Sequence, residues 1–160
     1  MKYPVKEDEI SRFDGIYHRL LRASFTTSLE YPEVLRSLTT IDISVINIVA
    51  MTPSIMIREI AEKLRIPNST LTSSINRLEK QGLASRVISP RDRRSFCLEL
   101  TDKGWAVQKA HTDFEEAYFR LILGKLPSGE ERNALMDLLE TIADADQAGK
   151  SGDSSDNGED

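Results

Sequence analysis

The chain has one cysteine, one tryptophan and two histidines in 160 residues. Its apolar runs all fall well short of the roughly 18 residues that a membrane span requires. A lone cysteine excludes an intramolecular disulfide framework and fits a reducing compartment. The opening residues lack the basic-then-apolar pattern of a signal peptide. The expectation is therefore a cytoplasmic protein with no membrane partner. His18 and His111 stand far apart in sequence, with no cluster of His, Cys or Glu to complete the three or four convergent ligands of a metal site. The chain also lacks a glycine-rich phosphate loop, a nucleophile elbow and a spaced carboxylate pair. Neither metal nor cofactor is expected, and no residue is assigned a catalytic role.

Hydrophobic residues make up 39% and charged residues 29%, which describes one globular domain with a core of ordinary size. The net charge of −5 argues against nucleic acid until it is located. From Asp144 to Asp160 six acids face one lysine, a local −5, so residues 1–143 balance 20 basic against 20 acidic groups. From Arg58 to Arg94 nine basic residues face four acidic ones, a local +5. Phosphate attraction is set by charge within a Debye length of about 8 Å, so the local excess is the relevant quantity. Residues 148–160, rich in Gly, Ser and Asp, read as a disordered acidic tail.

The basic stretch holds the organising pattern. Ile57, Ile60, Ala61 and Leu64 have the i, i+3, i+4, i+7 spacing of a helix face. A turn over 65–68 follows, where Pro67 stops that helix. A second helix over 69–81 stacks Leu71, Ile75 and Leu78, and Gly82 sits where a left-handed residue closes a helix. Two short helices and a tight turn outline a helix-turn-helix. The second helix turns Ser69, Ser73, Asn76, Arg77 and Lys80 away from its apolar stripe, flanked by Thr70 and Thr72. Short hydroxyls, an amide and an arginine suit a helix that meets base edges in a major groove, although a merely polar face explains them as well.

Runs 83–88 and 95–100 are β-prone, with Phe96, Leu98 and Leu100 alternating onto one face and Cys97 onto the other. Between them lies Ser89-Pro90-Arg91-Asp92-Arg93-Arg94, a turn crowded with guanidinium groups. A hairpin beside a helix-turn-helix makes a winged helix. Arginine at its tip suits a narrow minor groove, and Asp92 is expected to pin a neighbouring arginine by a bidentate pair.

In order, R-E-I-A-x-x-L (58–64), S-T-x-T-x-x-I-x-R-L-E-x-x-G-L-x-x-R (69–86), D-R-R (92–94) and L-T-x-x-G (100–104) resemble the MarR family of bacterial regulators. The resemblance implies a mostly α fold with a small β-hairpin wing, a winged helix-turn-helix flanked by N- and C-terminal dimerisation helices. It implies a homodimer that binds a pseudo-palindromic double-stranded DNA operator, mostly as a repressor released by a small-molecule effector or by oxidation. The expected DNA-contacting residues are Asn68, Ser69, Thr70, Thr72, Ser73, Arg77, Arg91, Asp92, Arg93 and Arg94. Arg94 takes the D-x-R position at the minor groove, and Arg91 and Arg93 meet phosphate. The chain departs from the family at Met56, where a capping Thr or Ser is common, which leaves Ser54 as a replacement cap. It departs again near Ser73, where many relatives are basic.

The expected layout is a single MarR-like chain over 1–147, with the winged part at about 40–101 and dimerisation helices at about 6–30 and 102–147. The first helix repeats Ile10, Phe13, Tyr17, Leu20, Leu21 and Phe25. Another, capped by Thr39 or Thr40, runs to about Met51. After the wing, Thr101 caps a helix whose apolar side includes Trp105, Phe114 and Tyr118. Ser128 to Glu131 form a capping box for the last helix. Phe13, Tyr17, His18 and Phe114 are the candidate effector-binding residues, against ordinary interhelical packing. The rival reading is a winged helix that docks a protein instead of DNA, which would replace the arginines of the tip with an apolar patch. A ligand-modifying enzyme is more remote, for want of a paired acid and base.

Overall fold

The computed structural model describes residues 4–25 and 29–148, with side chains 23–25 and 146–148 left aside. Phe25's side chain, residues 26–28 and the acidic tail from 149 onward lie outside what is described. The elements run α1 (Glu7–Phe25), a single 3-10 turn (Glu33–Leu35), α2 (Thr40–Met51), α3 (Ile57–Leu64), α4 (Asn68–Lys80), β1 (Ala84–Ile88), β2 (Phe96–Leu100), α5 (Asp102–Leu123) and α6 (Gly129–Ala148). Leu29 and Glu30, expected at the end of the first helix, are not helical. The described chain forms two compact units, one ending at Phe114 and the other beginning at Glu115.

The core of the first unit gathers one apolar face from each short element. Val45, Ile46 and Val49 of α2, Ile60 and Ala61 of α3, and Leu71, Ile75 and Leu78 of α4 are buried with Leu83, Ala84, Leu98 and Val107. Each large side chain so enclosed contributes about 1.5–3 kcal/mol relative to exposure. The helical spacing of 57–64 and 69–81 thus identified the right stripes, and the polar faces of α3 and α4 remain outside.

The helix ends are set by hydrogen bonds. Thr39 Oγ1 accepts the Asp42 amide at 3.2 Å, while Asp42 accepts the Thr39 amide at 2.9 Å, a reciprocal capping box for α2. Ser54 does not cap α3. Glu59 reaches back to accept the Met56 amide at 2.8 Å, so one half of a capping box survives without a hydroxyl at Met56. Helix α3 ends before Pro67 acts: Arg65 is left-handed, with φ 53°. Its amide bonds Glu62 O and the Ile66 amide bonds Ala61 O. Gly82, at φ 70°, closes α4 in the same way, with Gly82 N donating to Glu79 O and Leu83 N to Leu78 O.

Strands β1 and β2 pair antiparallel, Ala84 opposite Leu100 and Ile88 opposite Phe96. The expected alternation along β2 fails. Cys97 and Leu98 are both fully buried, whereas Phe96 is half exposed. The cause is a third piece of extended chain: Met56 bridges Cys97, and the Leu98 amide donates to Ile55 O at 3.2 Å. The edge of β2 is thereby paired with residues 55–56, and the Cys97 thiol donates to Ser54 O at 3.0 Å.

Thr101 caps α5 as expected, its Oγ1 accepting the Gly104 amide at 3.1 Å and donating to Gly82 O at 2.7 Å. On α5 the residues that reach the core are Gly104 and Val107, and Trp105 is half exposed. Gly104 is required by proximity, because a Cβ there would overlap the Leu83 carbonyl oxygen. In the second unit, Ser128 Oγ accepts the Glu131 amide at 3.1 Å and starts α6.

Candidate nucleic-acid interface

Helix α4 presents Asn68, Ser69, Thr72, Ser73 and Asn76 to solvent, with Thr70 half-buried. Ser73 Oγ donates to Ser69 O at 2.9 Å. Its hydrogen is thus committed to the helix, and its lone pairs face outward. The orientation of this surface is fixed from below. Ser74, which the sequence pattern passes over, is buried and donates to Asp42 Oδ1 at 2.5 Å. Arg77 crosses the same carboxylate, Nη2 to Oδ1 at 2.8 Å and Nε to Oδ2 at 3.3 Å. Asp42 is wholly buried, and 43% of the Arg77 side chain is exposed. Burial pushes the Asp42 carboxyl upward, but the hydrogen bonds from Arg77, Ser74 and Thr39 outweigh it and hold the group below the usual aspartate range. Arg77 is therefore a brace between α4 and α2 that still shows part of its guanidinium outside.

A second brace ties α4 to the wing. Arg86 of β1 forms an ion pair with Glu79 and donates from Nη2 to Asn76 Oδ1 at 2.9 Å. At the wing tip Arg91, Arg93 and Arg94 are exposed. Asp92 does not pin an arginine side chain, contrary to the sequence expectation. It folds the tip, accepting Ser95 Oγ at 2.6 Å and the Arg94 amide at 2.9 Å. The same two bonds, Ser95 first, lower its pKa. A short carboxylate reaches the amide two residues on more readily than it reaches a guanidinium held out in water. Arg91 instead leans back onto α3, donating to Glu59 Oε2 at 2.7 Å. Below the tip, Ile88 and Phe96 form one exposed apolar cross-strand pair.

Residues 37–95, which span the helix-turn-helix and the wing tip, match the sequence profile of the MarR family. Over that segment the chain is similar to the MarR family. Among curated relatives, the organic hydroperoxide resistance transcriptional regulator of Bacillus subtilis is 31% identical over 93 residues, 56% of this chain and 61% of the relative. The regulator PecS of Dickeya dadantii is 45% identical over 58 residues, 36% of this chain and 32% of its own. The chain thus spans less than two thirds of the length of either. Among solved structures, a MarR-like regulator of Thermotoga maritima superposes with a TM-score of 0.69 at 26% identity, over 89% of this chain and 97% of that one. FabT of Streptococcus pneumoniae, solved in complex with DNA, shares the fold with a TM-score of 0.74 at 22% identity, over 91% of this chain and 100% of that one.

Outside the MarR-type winged motif, the candidate effector residues separate. Phe13 and Tyr17 line an open apolar groove along α1 with Val5 and Ile10. His18 stacks edge-on to Tyr17 and meets Asp14 at 3.3 Å. Phe114 packs instead on Tyr31, ring centroids 5.1 Å apart. Among the described residues no group of three or more His, Cys, Asp or Glu could hold a metal ion, and no helix is long and apolar enough to cross a membrane. Sequence reasoning missed the Asp42–Ser74 contact. Its only sequence signal is a serine, Ser74, placed between Leu71 and Leu78 on the apolar stripe.

Proposed function

We propose that the chain is a sequence-specific double-stranded DNA-binding transcriptional regulator, working in the cytoplasm as a homodimeric repressor released by a small molecule. The observation that carries this reading is the hydroxyl-lined face of α4, braced to α2 by Asp42–Arg77 and to the arginine-tipped wing by Glu79–Arg86. In this reading α4 enters a major groove. Asn68, Ser69, Thr70, Thr72 and Ser73 divide base edges and phosphates between them, and Arg77 adds its exposed edge. Arg93 and Arg94 flank the minor groove, where negative potential is enhanced. A homodimer would place two such helices about one helical turn of DNA apart. The exposed apolar residues Ile10, Phe13, Tyr17 and Leu20 of α1 support pairing with a second copy. The α1 groove with Phe13 and Tyr17, once covered, would offer an enclosed apolar space for an effector. PcaV of Streptomyces coelicolor, solved with its natural ligand, shares the fold at 24% identity and a TM-score of 0.59.

Docking of a protein onto the wing is favoured only by the exposed Ile88–Phe96 pair. Two side chains are small against the roughly 800 Å² per partner of a stable interface, and three arginines adjoin them. An electrophoretic mobility shift against DNA flanking the protein's own gene, repeated over a salt series, tests the proposal. Specific, salt-dependent retardation is expected. A protein with no salt-sensitive attachment to any duplex would not be such a regulator.

A further inference from the structure

Of the three tip arginines, Arg91 differs in its partners. One nitrogen, Nη2, donates both to Glu59 Oε2 at 2.7 Å and to Ser54 O at 3.3 Å. Each acceptor already serves another group. Glu59 Oε2 takes the Met56 amide that starts α3, and Ser54 O takes the Cys97 thiol of β2. Ser54 itself is held at φ 56°, a left-handed conformation that is unfavourable for serine and turns its carbonyl toward these donors. Closer to the tip, the Arg91 amide is fixed by Ser89 Oγ at 3.2 Å. Arg91 is thus clamped at its backbone and at its far end, across a segment that separates the helix-turn-helix from the wing.

We propose that Arg91 is a positioning residue that sets the height of the wing against the start of α3 through Glu59 and Ser54, leaving phosphate contact at the tip to Arg93 and Arg94. The inference rests on the DNA-binding reading for its purpose, and on the contacts alone for the clamp. Electrostatics agree: the Met56 amide and then Arg91 hold the Glu59 carboxyl below its usual range, so the pair is charged at neutral pH and Arg91's charge is locally balanced. A guanidinium already paired with a carboxylate offers little net attraction to a phosphate.

Substitution at Glu59 separates the two roles by sign. Glu59→Gln keeps an acceptor for the Met56 amide, as glutamine does in capping boxes, and removes the charge that holds Arg91. If Arg91 served phosphate directly, deleting a nearby negative charge would free it and tighten DNA binding. If Arg91 positions the wing, Glu59→Gln should weaken binding about three- to tenfold. Arg91→Gln should do the same with the salt slope unchanged, and the double variant should be no worse than either single one. In hydrogen exchange on the full-length free protein, amides 89–95 should exchange faster in Glu59→Gln and Arg91→Gln and unchanged in Arg93→Gln. Tighter or unaltered binding by Glu59→Gln overturns the proposal, as does a salt slope reduced by about 0.9 in Arg91→Gln. Unaltered wing exchange overturns it too, and needs no DNA. Loss of DNA binding by the wild-type protein would instead defeat the regulator reading, with the exchange result still deciding the clamp.

Discussion

Asp42 of α2 and Arg77 of α4 are 35 positions apart in sequence and joined by two hydrogen bonds, one of 2.8 Å, with the carboxylate fully buried. Because Ser74 donates to the same group from the adjacent position around α4, the helix is held at two points of its circumference. Rolling α4 about its axis would break at least one of them. The exposed hydroxyls of α4 are aimed by a carboxylate that itself never meets solvent.

Replacing Asp42 with Asn keeps the shape and removes the charge. The loss should be about 1.5–3 kcal/mol at neutral pH, the range for hydrogen bonds to a charged group. The folded-state pKa is lowered. The charged carboxylate therefore stabilises the protein above the usual aspartate pKa of about 3.9, and this contribution disappears as pH falls through the folded value. Urea unfolding of wild type and Asp42→Asn should differ at pH 7 and converge in acid. An equal gap at both ends would show that the charge is not what stabilises the contact.

Gly104→Ala tests the seat of α5. The added methyl meets a backbone oxygen, Leu83 O, and the Leu100 Cβ, and neither can swing aside as a flexible side chain would. Overpacking costs typically about 1–3 kcal/mol, and the rigid neighbour puts this site at the upper end. Thermal melting of Gly104→Ala beside Gly15→Ala is the measurement. Gly15 has open space around its missing Cβ and lies inside a helix, so its replacement should stabilise by up to about 1 kcal/mol.

These contacts also show where sequence reading succeeded and stopped. Leu71, Ile75 and Leu78 could be placed because a 3.6-residue period is a local property, and the hairpin because two β-prone runs flank a turn. The role of Gly104 was legible only as part of a motif. Cys97 is buried although the alternation turns it away from Leu98, because the strip 54–56 that pairs with β2 comes from more than 40 positions earlier. Asp92 was paired with a guanidinium on charge alone, when the tighter geometric fit was an amide two residues on. Thr39 was read as a candidate cap of α2, which it is, with the Asp42 carboxylate accepting the Thr39 amide in return. That one carboxylate could also anchor α4 depends on the packing of α2 against α4, which no local pattern contains.

Arg94→Ala should weaken operator binding and reduce the slope of log K against log salt by about 0.9 if the side chain meets one phosphate. Arg94 contributes its backbone amide to the tip through Asp92, and alanine preserves that bond. The loss therefore reports the guanidinium and not the fold of the turn. Titration of both proteins across a salt series is the check. Unchanged affinity at physiological salt would remove Arg94 from the interface.

The apolar side of α1 makes the last prediction. Phe13 is 66% exposed, and Ile10, Tyr17 and Leu20 are each about half exposed or more. Together they form an exposed helical stripe, whereas scattered single apolar residues would need no partner. If a second copy covers this stripe, Phe13→Glu places a charge in the contact and should raise the dimer dissociation constant at least about 100-fold, since an unpaired buried charge costs several kcal/mol. The winged motif, whose core does not include Phe13, should keep its fold and melting behaviour. DNA affinity should nevertheless fall, because a monomer offers one recognition helix to a two-part site. Sedimentation velocity of wild type and Phe13→Glu at matched concentration decides the matter. A variant that sediments as a dimer and binds the operator as tightly as the wild type would mean that the stripe on α1 lies outside the self-association surface.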